Sequence, residues 1–96
     1  MPVGILFEFE GMNQKHYDAI MNALQIGVGS NGNWADGIIS HVSGPTDKGW
    51  CVMDVWESQA HFDKFMETRL GPSFAQVPGL PEPKVTTLPV YNKFPR

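Results

Sequence analysis

Residues 50–65, running from Trp50 through Asp54, Trp56 and Ser58 to Phe65, place the tightest limit on what this chain can fold into. The first half is a run of strand formers, in which Val52, Val55 and two tryptophans suit a pleated and largely buried surface. Ser58 then stands where an N-cap is needed, since its hydroxyl can accept from the unpaired amides of a first helical turn. Phe62, Phe65, Met66 and Leu70 follow at helical spacing as one apolar stripe. A strand that delivers two tryptophans and an aspartate straight into a capped helix leaves few fold classes open.

The rest of the chain narrows them further. Val3 to Phe9 reads as a first strand, and Gly11 breaks it. Asn13 is placed as an N-cap, with Met12 before it able to pack on Tyr17 as a hydrophobic staple. Tyr17, Ile20, Met21 and Leu24 recur at i, i+3, i+4 and i+7, which predicts the first helix. Residues 27–37 carry four glycines and the Asn31/Asn33 pair, so they read as a loop. Trp34 within that loop suits a lid or a dimer contact. Ile38 to Ser43 is a second strand, and Gly44 to Gly49 has turn chemistry. The second helix is expected from Gln59 to Leu70, stopped by Gly71 with Pro72 beyond. Ser73 to Val77 allows one more short turn, and Pro78, Pro81 and Pro83 describe an extended connector. Lys84 to Tyr91 supplies a last strand, which Pro89 assigns to a sheet edge or a bulge.

The order strand, helix, strand, strand, helix, strand is the ferredoxin-like βαββαβ arrangement, an α+β fold whose antiparallel sheet carries two helices on one face. One domain spanning residues 1–96 is expected. The other sheet face also holds large apolar groups, and sheet-to-sheet pairing into a two-fold homodimer is the natural way to cover them.

Composition removes several functions. The net charge is −3 and no lysine- or arginine-rich block occurs, which argues against nucleic-acid binding. No apolar run approaches the roughly 20 residues that span a bilayer, so no membrane partner is expected. The amino-terminal residues lack the pattern of a secretory signal, and Cys51, the one cysteine, has no disulfide partner; a cytoplasmic protein fits both. Cys51 reads as a small buried hydrophobe. His16, His41 and His61 have no metal-ligand spacing, and His16 and His61 fall in exposed first turns. Neither a metal nor another cofactor is expected.

The candidate chemistry centres on Asp54. A carboxylate between Val52 and Trp56 is costly to bury unless it is paired. If Ser43 pairs with Trp50, His41 lies opposite Val52, and His41, Trp50, Asp54 and Trp56 share one face; a slip of one residue sends His41 to the other. A His41–Asp54 pair could take a phenolic proton and leave an electron-rich anion that reacts with oxygen, whereas its structural alternative is a hydrogen bond between strands. Trp50 and Trp56 are candidate pocket walls or core, and Tyr17 faces the sheet from the first helix, where its hydroxyl could meet a ligand or its ring simply pack in the core.

From Asp54 to Phe62 the sequence resembles the antibiotic-biosynthesis-monooxygenase-like family of dimeric α/β-barrel proteins, in which a strand ending in V-W-x-S leads into a helix with alanine and phenylalanine at these steps. The βαββαβ order extends the resemblance over most of the chain, and Gly37 to His41 followed by Gly44-Pro45 is similar to a subgroup of small bacterial members. The resemblance implies a homodimer with a pocket between sheet and helices, holding an aromatic or polyketide-like molecule that is oxidised by molecular oxygen without cofactor. It equally admits a module that only binds a small hydrophobic ligand, or a structural dimer. Haem degradation, another branch, uses an asparagine on the first strand and a later histidine on the second helix. This chain offers Phe7, Glu8 and Phe9 on that strand, and no histidine after His61.

Overall fold

The computed structural model describes residues 1–26 and 35–94. The expectations for residues 27–34, Trp34 included, lie outside the described residues. Strand β1 (Val3–Glu10) leads to helix α1 (Gln14–Leu24), then to the hairpin β2 (Ile38–Pro45) and β3 (Gly49–Trp56). Helix α2 (Gln59–Phe65) runs through a π-helical turn (Met66–Leu70) into the short helix α3 (Gly71–Ala75), and β4 (Lys84–Pro89) ends the order. The four strands form one antiparallel sheet in the sequence β2-β3-β1-β4. This is the ferredoxin-like topology.

Local chemistry explains the element ends. Asn13 caps α1: its Oδ1 accepts from the His16 amide at 3.1 Å, while His16 Nδ1 accepts from the Asn13 amide at 3.2 Å. Ser58 caps α2 in the same way, accepting from the His61 amide at 3.2 Å, with its hydroxyl 2.6 Å from His61 Nδ1. His16 and His61 are therefore half-buried parts of the caps and not exposed bystanders. At the far end of α1, Gln25 turns left-handed (φ 62°), and Arg69 donates to the Leu24 carbonyl at 3.0 Å while lying over the Phe65 ring. That guanidinium satisfies a terminal carbonyl and favours the negative end of the helix dipole.

The second helical segment differs from expectation. Gly71 does not stop it; the residue is right-handed (φ −56°) and its amide bonds back to Met66 O. Pro72 would lose a hydrogen bond and crowd a carbonyl inside a regular helix. The wider π turn just before it absorbs that mismatch and lets the helix restart with proline in its first turn. Glycine is required there because a Cβ would stand 2.9 Å from Met66 O.

The hairpin is also tighter than expected. β2 continues to Pro45, and a two-residue Asp47-Lys48 turn is closed by Thr46 N–H to Gly49 O (2.9 Å) and Gly49 N–H to Thr46 O (3.3 Å). Ser43 therefore pairs with Val52, not Trp50, and His41 pairs with Asp54, not Val52. The shift of two residues keeps every side chain on its expected face. Nearer the start of β2, a bulge at Ile39 lets Ile38 and His41 both face the helices, which a regular strand forbids for residues three apart. β4 stops at Pro89 on the sheet edge, two residues short of Tyr91.

The core lies between the sheet and the helices. Ile5, Phe7, Phe9, Val52 and Trp56 of the sheet pack with Tyr17, Ile20, Met21, Leu24, Phe62, Phe65 and Leu70. The opposite face carries Leu6, Val42, Met53, Val55 and Leu88, of which Val42, Met53 and Leu88 are more than half exposed. Cys51 sits on that face half-buried, more open than expected, and burial followed by the Glu8 charge pushes its thiol pKa up.

Candidate active site

Two devices bring the candidate residues together. The tight hairpin sets His41 directly opposite Asp54, and the α1 cap places Tyr17 at the fourth helical position, above the same sheet face. His41 Nδ1 lies 2.7 Å from Asp54 Oδ1, and His41 Nε2 lies 2.6 Å from the Tyr17 hydroxyl. The side chain of Asp54 is 5 % exposed and that of His41 20 %. An ionised Asp54 only accepts, so Nδ1 carries the proton; in the neutral ring Nε2 then accepts from Tyr17 O–H. The result is a directed chain, Tyr17 to His41 to Asp54. It has the logic of a nucleophile, an imidazole and an orienting carboxylate, with a phenol at its head.

Burial favours the neutral phenol. Desolvation is the main cause raising the Tyr17 pKa above its ordinary value; a hydrogen bond with Ser43 opposes it, and the charges of Asp54 and Asp18 add to it. Trp50 stacks on the Tyr17 ring with centroids 5.4 Å apart and planes 26° from parallel. The imidazole of His41 is also nearly parallel to that ring, at 6.1 Å.

All three residues line a void between sheet and helices. It is small, about 40 Å³. The remaining wall is apolar, with Phe7, Phe9, Val52, Met12, Met21 and Phe74 among its members. Neither Trp50 nor Trp56 lies on it. Trp50 supports Tyr17 from behind, while Trp56 is fully buried against Phe62 (5.8 Å) and Phe65 (5.1 Å). The indole N–H of each lacks a hydrogen-bond partner among the described residues. No three His, Cys, Asp or Glu side chains among the described residues converge as they would for a metal ion.

Sequence reasoning located Tyr17, His41 and Asp54 but not the Tyr17–His41 bond. It also passed over the apolar wall, whose phenylalanines and methionines look like ordinary core. The missed signal was Thr46-Asp47-Lys48-Gly49: reading it as a two-residue turn gives the register that pairs His41 with Asp54.

The chain has the fold of the antibiotic-biosynthesis-monooxygenase-like proteins. SnoaB, a cofactor-independent oxygenase from Streptomyces nogalater, is similar with a TM-score of 0.70 and 11 % identity, covering 99 % of this chain and 98 % of that one. A provisionally named antibiotic biosynthesis monooxygenase from Deinococcus radiodurans gives 0.65 and 11 %, over 97 % and 95 % of the two chains. The hydroxynitrile lyase of Passiflora edulis gives 0.59 and 18 %, over 98 % and 96 %. No protein-family model and no curated protein matches the sequence. Identities this low carry the fold and not the activity. No helix among the described residues is long and apolar enough to cross a membrane.

Proposed function

We propose that this protein is a cofactor-independent monooxygenase that deprotonates an aromatic or polyketide-like small molecule in the cavity between sheet and helices, so that the anion reacts with molecular oxygen. The observation that carries this reading is the continuous Tyr17–His41–Asp54 chain at the one polar corner of an apolar cavity. Both ring nitrogens of His41 are engaged, so Tyr17 is the group that meets the substrate hydroxyl. As that hydroxyl gives its proton to Tyr17 O, Tyr17 passes its own to His41 Nε2, and Asp54 stabilises the imidazolium. Between an unperturbed phenol and imidazole such a transfer is uphill by about 3.5 pKa units, about 5 kcal/mol. For a phenol, one O₂ then yields a quinone oxygen and one water, with no other electron donor.

Mere ligand binding explains the cavity but not a carboxylate in the middle of the sheet. The decisive assay is oxygen uptake with a panel of phenols. His41→Ala and Asp54→Asn should each lower turnover by about a hundredfold or more; full turnover by both would sink the mechanism.

The homodimer belongs to the same proposal. Leu6, Val42, Met53, Val55 and Leu88 form an apolar face that a second copy covers by two-fold pairing. Native mass spectrometry should show a dimer, and Met53→Glu should shift it to monomer.

A further inference from the structure

We infer that the site selects a neutral single-ring phenol with no second polar group, rather than a multi-ring substrate. This rests on the proton-transfer role proposed above and narrows its substrate. Two features of the cavity carry the inference. The first is its size. A cavity of about 40 Å³ is far below the range for small-molecule sites, roughly 300–1,000 Å³. Even one ring must therefore push a wall side chain aside, and a three-ring molecule would have to displace several aromatic side chains from a packed core. Phe7 stacks on Phe9 at 6.1 Å, and Phe74 sets its edge against both at 6.4 and 5.9 Å, so these walls hold one another. The adaptable members are Met12 and Met21, whose thioether chains can change rotamer to admit one ring.

The second feature is polarity. Tyr17, His41 and Asp54 occupy one corner, and the other lining side chains offer no hydrogen-bonding group. One hydroxyl docks at Tyr17, while a second on the far side of the ring would lose its water without replacement. Within the hydroxyl compounds, a phenol fits the proton chain better than an aliphatic alcohol. Its acidity lies in the same range as that of a tyrosine, so exchange between the two oxygens is nearly balanced.

The test is anaerobic ¹⁹F NMR with 4-fluorophenol as reporter and unlabelled compounds as competitors. The expected result is saturable binding of the reporter, displaced by 4-methylphenol at concentrations about tenfold or more below those needed for 4-hydroxybenzyl alcohol or 2-anthrol. Equal or tighter binding of 2-anthrol overturns the size rule. Parity of 4-hydroxybenzyl alcohol with 4-methylphenol overturns the polarity rule, and no binding of 4-fluorophenol at millimolar concentration overturns both. Tyr17→Phe separates this from the parent reading: the preference for 4-methylphenol over toluene should collapse. If that preference survives while the size order holds, the proton chain is wrong and the size rule stands.

Discussion

Replacing His41 alone should harm the fold more than replacing His41 and Asp54 together. In His41→Leu the Asp54 carboxylate, 5 % exposed and paired at 2.7 Å, keeps its burial and loses its partner. Leaving a buried carboxylate without its hydrogen-bond donor costs about 3 kcal/mol or more. His41 is a fifth exposed, so some water reaches the pair, and the lower end, about 3 kcal/mol, is expected. Asp54→Leu leaves a partly wetted imidazole N–H and should cost about 1–2 kcal/mol. The double variant leaves two apolar side chains beside an apolar wall and should fall within about 1 kcal/mol of the parent. The coupling is then roughly 3 kcal/mol, read by urea unfolding followed through tryptophan fluorescence at one fixed protein concentration. In a domain of this size the His41→Leu loss corresponds to about 12–24 °C in Tm. Additive single effects, or a His41→Leu cost below about 1 kcal/mol, would refute the picture of a buried, mutually dependent pair.

Two further outcomes follow from local geometry. Burial raises the Tyr17 pKa above 10.0, so above that pH the unfolded chain releases this proton before the folded one does. Stability should therefore fall as pH rises past about 10, and Tyr17→Phe should flatten that limb while removing a late step in absorbance at 295 nm. Gly71→Ala puts a methyl 2.9 Å from Met66 O and should cost about 1–2 kcal/mol by thermal unfolding; a neutral effect would mean that the π turn relaxes freely.

How far the sequence reaches is clearest at particular residues. Both helix starts were legible because Asn13 and Ser58 act within three residues of themselves, and the edge strand because Pro89 has no amide to offer an inner ladder. The shared face of His41 and Asp54 was legible because strand parity survives a shift of two. What failed depended on contacts distant in sequence or on competing local rules. Gly71-Pro72 carries a stop signal, yet Leu70 and Ser73 bury well enough on the core side that the helix widens and continues. The Tyr17–His41 bond spans 24 positions and needs the height of α1 above the sheet, which no local pattern encodes. Trp50 and Trp56 have the same residue type and strand face, and only tertiary packing assigns one to the back of Tyr17 and the other to the core.

The site thus depends on two local devices that meet at His41, the hairpin turn that sets the register and the cap that starts α1. This makes Asn13 a lever on chemistry it never touches. Losing an N-cap costs about 1 kcal/mol, and the loss falls on the first turn of its own helix. Tyr17 sits just beyond that turn, so fraying there moves its hydroxyl away from Nε2 before it loosens Ile20 or Leu24. Asn13→Ala should lower turnover several-fold, and the ionisation of Tyr17 should shift back toward its ordinary value. Ser58→Ala is the matched control: it removes an equivalent cap, but the nearest cavity residue on α2, Phe65, lies well past the first turn. Equal losses of stability with unequal losses of turnover would tie the cap to the phenol. Equal effects on both measures would mean that α1 is held in place by its buried stripe alone, and that Tyr17 owes its position to Trp50 and the core rather than to the helix start.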